Sequence, residues 1–181
     1  MEQRHYVLMD RDGVINVDSD EFIKSPEEWI PIAGSLEAIA LLNKQGYDVV
    51  VISNQSGIAR GLFDETTLTK IHEKMHRLLA EKGGEIAAIY YCPHGPDSLC
   101  NCRKPKPSLL KRFAEERNID LTTVSFIGDS LRDIQAAQAV GAKPILVKTG
   151  KGQKTLINNP NINLPVFENL YGAAKYILSK Q

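Results

Sequence analysis

The stretch Asp10-Arg11-Asp12-Gly13-Val14-Ile15-Asn16 (DRDGVIN), entered from Tyr6-Val7-Leu8-Met9, decides how this chain is read. Four apolar residues without a polar break read as a short strand buried on both faces, as parallel sheets require. The chain then offers two carboxylates, Asp10 and Asp12, two positions apart. An extended backbone there sends both side chains to one side of the sheet.

Working outward, the same pattern recurs. Asp48 to Ile52 (DVVVI), Ile86 to Tyr91, Val124 to Ile127 and Pro144 to Val147 are further short apolar runs. Stretches with helical spacing lie between them. One runs from Ser35 to about Gln45, with Leu36, Ile39 and Leu42 as its stripe and Gly46 as its stop. A longer one starts at an Asp64 N-cap and ends near Lys82, before Gly83-Gly84. Others follow Pro107, run from Leu131 to about Val140, and close the chain from Leu170 to Leu178. The segment from Gly150 to Pro165 reads as loop. Strands alternating with helices predict an α/β fold, a doubly wound parallel sheet of Rossmann-like form with right-handed crossovers. One domain is expected over residues 1–181. In such a sheet ligands sit beyond the carboxyl ends of the strands. Asp10, Ser53-Asn54, Cys92 and Asp129 fall there, after the first four strands.

Composition narrows the partners. Lys plus Arg and Asp plus Glu are 22 each and no long basic run occurs, so a nucleic-acid backbone is not an expected partner. The N-terminal stretch has no apolar core of signal-peptide length, and no run approaches the roughly 20 apolar residues that cross a bilayer. The reading is a cytoplasmic protein, without a membrane partner, acting as a monomer. Three cysteines are an odd count, which argues against a disulfide framework.

A carboxylate at Asp10 can attack phosphorus and form an acyl phosphate, splitting hydrolysis into two displacements. Asp12 can protonate the leaving alkoxide and later deprotonate water. Two close carboxylates repel, and a divalent cation removes that cost, so Asp129 would complete an all-oxygen Mg²⁺ site with Asp10 and Asp12. The competing reading is a solvated turn, since DRDG is also good turn chemistry. Asp133 reads either as support for that metal or as an exposed acid in a helix's first turn. Ser53-Asn54-Gln55-Ser56-Gly57 offers small donors and backbone N–H groups suited to phosphoryl oxygens, or else a loop satisfying its own backbone. Thr149-Gly150-Lys151-Gly152 lacks the spacing of a P-loop and is given no chemistry.

Cys92-Pro93-His94 and Cys100-Asn101-Cys102 supply four soft or borderline ligands from two tight turns. Such a set fills a tetrahedral Zn²⁺ site and leaves no open position, which marks a structural metal. The alternative, three unrelated thiols, fits poorly with a segment rich in Pro, Gly and Asp, because free cysteines favour apolar cores. His72 and His76, at i and i+4, read as helix-surface residues.

These residues resemble the haloacid dehalogenase superfamily. DRDGVIN, SNQSGIARG, YYCPHGPD, CNCRKPKP and GDSLRDIQAA carry the likeness, and it extends to the superfamily's sugar-bisphosphate phosphatases over nearly the whole chain. The resemblance implies Asp10 as nucleophile and Asp12 as acid/base. Mg²⁺ would be held by Asp10, the Asp12 carbonyl and Asp129, and the phosphoryl group by Ser53 and Lys104. Arg11, Asp18, Asn54, Gln55, Ser56 and Arg103 would touch substrate, with Arg103 on its distal part. Zn²⁺ would sit on Cys92, His94, Cys100 and Cys102. It implies a minimal cap, with a short zinc-binding loop in its place, and a small phosphorylated sugar as substrate. Histidinol phosphate is the rival substrate, and a zinc-stabilised module without catalysis the rival from another class. Ser130 stands where some members carry Lys.

Overall fold

The computed structural model describes residues 4–181; the first three residues of the N-terminal stretch lie outside it. The strands are β1 (His5–Met9), β2 (Tyr47–Asn54), β3 (Ala88–Cys92), β4 (Ser125–Gly128), β5 (Lys143–Val147) and β6 (Val166–Phe167). The helices are α1 (Ser35–Lys44), α2 (Glu65–Glu81), α3 (Ser108–Arg117), α4 (Leu131–Ala139), α5 (Gly152–Asn158) and α6 (Leu170–Leu178). All six strands pair in parallel, in the order β3-β2-β1-β4-β5-β6.

Strand periodicity explains the two cores. In β1, Val7 and Met9 face one side and pack with α1, α2 and α6 through Leu36, Ile39, Met75 and Ala173. Tyr6 and Leu8 face the other and pack with α3 and α4 through Leu110, Phe113 and Ala137. A strand that must satisfy two apolar layers has no room for alternation, so its sequence is continuously apolar.

The order reverses at β1: the chain builds outward to β2 and β3, then returns to place β4 on the opposite flank. Crevices form at such a switch point, between loops that leave in opposite directions. Met9 is level with Val51 and Ile127, so Asp10 leaves the sheet at its centre. The Asp10 amide still donates to the Ile127 carbonyl at 3.0 Å, which holds its backbone in the strand's line.

The segment after β1 is anchored by its own apolar residues. Val14, Ile15 and Trp29 are all 0% exposed within the first core. Lys74 of α2 donates to the carbonyls of Pro26 and Trp29, each at 2.8 Å, tying that helix to the loop over the sheet's end. The chain from Gly150 to Pro165, read as loop, contains α5 instead. This helix has seven residues and little apolar periodicity, so its sequence gave a weak signal. It is fixed by the tight turn before it: a Cβ on Gly152 would stand 1.8 Å from the Val147 carbonyl.

Candidate active site

Three carboxylates meet at the switch point. Asp10, Asp129 and Asp133 each offer an oxygen within 4.8 Å of the others'. Asp129 lies in a pocket made by two glycines. A Cβ on Gly13 (φ +84°) would stand 2.0 Å from Asp129 Oδ2, and one on Gly150 (φ +57°) would stand 2.3 Å from it. The Lys151 backbone N–H donates to the same oxygen at 2.8 Å, Thr155 Oγ1 donates to the Asp129 carbonyl at 2.8 Å, and Thr149 Oγ1 donates to the Gly13 carbonyl at 2.6 Å. The loop after β5 therefore closes one wall of the site.

Lys104 fills the floor. Its side chain is 2% exposed, and Nζ lies 2.7 Å from Asp133, 3.2 Å from Asp10 and 2.7 Å from the Ile52 carbonyl, to which it donates. Asp133 is held in turn by α4. Its Oδ2 accepts from the backbone N–H of Asp129 and Ser130 and from the Ser130 hydroxyl, a capping box at the helix start. Asn54 positions Lys104 from β2, since its amide donates to the Lys104 carbonyl at 3.1 Å and accepts from the Lys104 N–H at 3.0 Å.

Asp12 is held from a second direction. Arg11 Nε donates to its Oδ1 at 2.9 Å and Nη2 lies 2.8 Å from the same oxygen. Asn16 adds a third contact at 3.0 Å, while Oδ2 accepts from Gln55 at 3.2 Å. The cleft above these groups is about 310 Å³, walled by Asp18, Phe22, Ser56, Arg60, Arg103 and Arg132 among others. That volume suits a small polar ligand.

The charges fit a bound cation and anion. Burial raises the Asp10 carboxyl from 3.8 to about 7, with Asp133 and Asp12 adding to the rise and Lys104 opposing it. Burial likewise raises Asp129 well above its ordinary value, helped by Asp133 and Asp10. Burial works to raise Asp12 also, but Arg11 and the hydrogen bonds from Asn16, Arg11 and Gln55 outweigh it and hold this carboxyl low. Lys104 is raised: burial opposes its charge, and Asp10 and Asp133 overcome that. Asp10 and Asp129 thus gain from a nearby positive charge, and an all-oxygen donor set around a glycine-lined pocket fits a hard divalent cation.

Beside the cleft, Cys92, His94, Cys100 and Cys102 bring their ligand atoms within 4.8 Å of one another. Cys92 Sγ lies 3.8 Å from Cys100 Sγ and 3.4 Å from His94 Nδ1, close to the edges of a tetrahedron with bonds of about 2.3 and 2.1 Å. The Cys92–Cys102 edge, 2.7 Å, is shorter than that and too long for a disulfide. Arg103 follows this cluster directly, and its guanidinium donates to the His94 carbonyl at 3.4 Å.

A profile described as HAD-hydrolase-like matches residues 101–173. A D-glycero-β-D-manno-heptose-1,7-bisphosphate 7-phosphatase of Pseudomonas putida is 52% identical over 172 residues, which cover 95% of this chain and 98% of that one. The chain belongs to this phosphatase family. A crystal structure of the Bordetella bronchiseptica D,D-heptose 1,7-bisphosphate phosphatase, in complex with magnesium and phosphate, is 50% identical and superposes with a TM-score of 0.95. That match covers 98% of this chain and 99% of that one. The corresponding Burkholderia thailandensis structure is 45% identical with a TM-score of 0.78, covering 97% and 99%.

Against this heptose-bisphosphatase fold, Asp10, Asp12, Asp18, Asn54, Gln55, Ser56, Arg103, Lys104 and Asp129 all line one cleft. Arg11 does not. It is 0% exposed, with its guanidinium turned inward onto Asp12 and His72, so it cannot reach a substrate. Alternation explains this: between two acids that face the cleft, the intervening side chain points away. Ser53 is also 0% exposed and its hydroxyl accepts from Gln55 at 2.8 Å, which places it under the cleft's wall. His72 is buried rather than on the helix surface, and burial together with the Arg11 charge lowers its pKa to about 3. Asp133 lies in the first turn of α4 but is buried at 2% exposure, so it is not the exposed acid of one reading. Lys151, in the loop given no chemistry above, and Thr155, in no candidate motif, both hold Asp129. Gly150, needed beside a carboxylate, was the one available signal.

Proposed function

We propose that this protein hydrolyses the 7-phosphate of D-glycero-D-manno-heptose 1,7-bisphosphate and releases the 1-phosphate. The reading is carried by one observation: a buried ammonium, Lys104, lies 3.2 Å from the Asp10 carboxylate at the sheet's switch point. Asp10 attacks phosphorus, the bond from phosphorus to the sugar oxygen breaks, and Asp12 gives its proton to the departing alkoxide. Water then attacks the aspartyl phosphate, Asp12 takes a proton from it, and inorganic phosphate leaves with Asp10 restored.

Asp12, held low in the free protein, takes up its proton when the substrate's phosphate brings negative charge beside it, and its two oxygens then differ in role. Oδ1 is fixed by Arg11 and Asn16, which leaves Oδ2 beside Gln55 to carry the proton. Lys104 neutralises charge shared by Asp10 and the phosphoryl group, and Asn54 keeps its backbone in place. Asp10, the Asp12 carbonyl and Asp129 would hold Mg²⁺, which supplies charge neutralisation for the attacking carboxylate and the phosphoryl oxygens. Cys92, His94, Cys100 and Cys102 would hold a structural Zn²⁺ that fixes the Arg103 end of the cleft.

The test is phosphate release with Mg²⁺ from heptose 1,7-bisphosphate, fructose 1,6-bisphosphate and histidinol phosphate. The heptose should give the highest kcat/KM, and Asp10→Asn should abolish turnover on it. Preference for histidinol phosphate, or an active Asp10→Asn, would refute the reading.

A further inference from the structure

We propose that His72, on α2, is a positioning residue for the proton transfers of Asp12, acting through the buried guanidinium of Arg11. The inference rests on the acid/base reading of Asp12. His72 is 8% exposed and Arg11 is 0% exposed. Arg11 Nη1 lies 3.1 Å from His72 Nε2. A guanidinium has only donors, so the imidazole must accept through Nε2 and carry its proton on Nδ1. On its other edge Arg11 grips one oxygen of Asp12 with both Nε and Nη2, at 2.9 and 2.8 Å.

Two points make this more than packing. A buried guanidinium that donates through Nε to one carboxylate oxygen and pairs its charge with it through Nη2 fixes the place of that oxygen, and so leaves the other as the one free to exchange a proton. The guanidinium itself needs a third anchor to hold its own plane, and the structure gives Nη1 one side-chain partner, an imidazole from a helix sixty residues on in the chain. Helix α2 is itself tied to the loop after β1 by Lys74, two residues beyond His72, which donates to Pro26 and Trp29. His72 therefore sits where α2 is registered against the catalytic loop. Removal of its acceptor leaves a buried N–H without a partner and lets the guanidinium turn.

The experiment uses leaving-group chemistry, which a packing residue does not affect. In this two-step reaction kcat/KM reports the first displacement, in which Asp12 protonates the leaving oxygen. A sugar alkoxide needs that proton and a p-nitrophenolate does not. Fructose 1,6-bisphosphate and p-nitrophenyl phosphate are therefore compared with Mg²⁺ present. Asp12→Asn, the reference, should lose about 100-fold or more on the sugar phosphate and far less on the aryl ester, from the usual worth of general acid catalysis. His72→Leu should lose about tenfold on the sugar phosphate and less than about threefold on the aryl ester, a share of the same effect. His72→Gln keeps an acceptor near the Nε2 position and should stay within about threefold of the parent on both. Equal losses on the two substrates, or a Gln variant as impaired as the Leu variant while melting temperatures fall together, would make His72 a core residue only. An Asp12→Asn variant without leaving-group dependence would overturn the acid/base reading itself, and this inference with it.

Discussion

The contact between Lys104 and Asp133 allows a worked prediction. Their charged atoms lie 2.7 Å apart with both side chains 2% exposed, and Asp10 is 3.2 Å away on the other flank. Lys104→Met keeps the unbranched stem and its packing near the Phe126 ring, which Nζ approaches to 5.5 Å, but removes the charge. The buried Asp133 and the part-buried Asp10 then lack their cation, and the Ile52 carbonyl loses its side-chain donor. Breaking a buried ion pair by removing one partner costs about 3–5 kcal/mol. For a chain of this size that corresponds to a fall in Tm of roughly 6–20 °C. Asp133→Asn can still accept at the α4 capping box but turns an amide toward an ammonium, and should destabilise too. The double variant removes both charges, so its cost should fall short of the sum by about 1–3 kcal/mol, the range for residues in contact. Urea unfolding of the four proteins at one pH, without added Mg²⁺, measures this coupling. Additivity within about 0.5 kcal/mol would mean that the Lys104–Asp133 contact carries no energy, and the structural role assigned to that pair would be wrong.

Other outcomes follow from the same geometry. The protein should hold about one equivalent of zinc after mild chelation, and Cys100→Ser should lower Tm and zinc content more than it changes kcat; zinc-free protein from zinc-replete medium would refute the cluster. Arg103→Ala should cost about 1.5–3 kcal/mol in kcat/KM on a sugar bisphosphate and much less on a monophosphate, because a planar fork suits a second phosphate. Equal losses would place Arg103 at the reaction centre. Without added Mg²⁺, the Asp10 carboxyl titrates near 7 when folded and near 3.8 when unfolded. The folded state then holds the extra proton, so this group's share of stability is greatest below pH 4 and is lost as pH rises through about 7. Urea midpoints should decline over that window, and Mg²⁺ should raise them most near neutrality; a midpoint rising through the window without metal would contradict the burial of Asp10.

The sheet was legible because strands buried on both faces leave no choice of residue, and five of the six strands were found within about two residues. β6, two residues long, and α5, seven, were not, since neither is long enough to show a period. The carboxylates were legible from their place after strands. The direction of Arg11 was not, although the alternation that aims Asp10 and Asp12 together also aims Arg11 away. His72 was misjudged because a lone polar residue on an apolar stripe gives no sign of a partner sixty positions upstream. Lys151 acts on Asp129 through its backbone N–H, a contact that no side-chain reading can anticipate.

The glycine pocket around Asp129 also bears on how this sequence can change over generations. Gly13 and Gly150 come from opposite ends of the chain, yet a Cβ on either meets the same carboxylate oxygen, and one on Gly150 would stand 2.5 Å from the Gly13 Cα. A methyl at one position cannot be accommodated by a smaller residue at the other, for none exists. Nor can Asp129 retreat, with Lys151 and Thr155 holding its side chain and its carbonyl. The three positions form a lock with no single-step exit. Drift can revise the rim of the cleft one residue at a time, whereas this corner must be inherited intact.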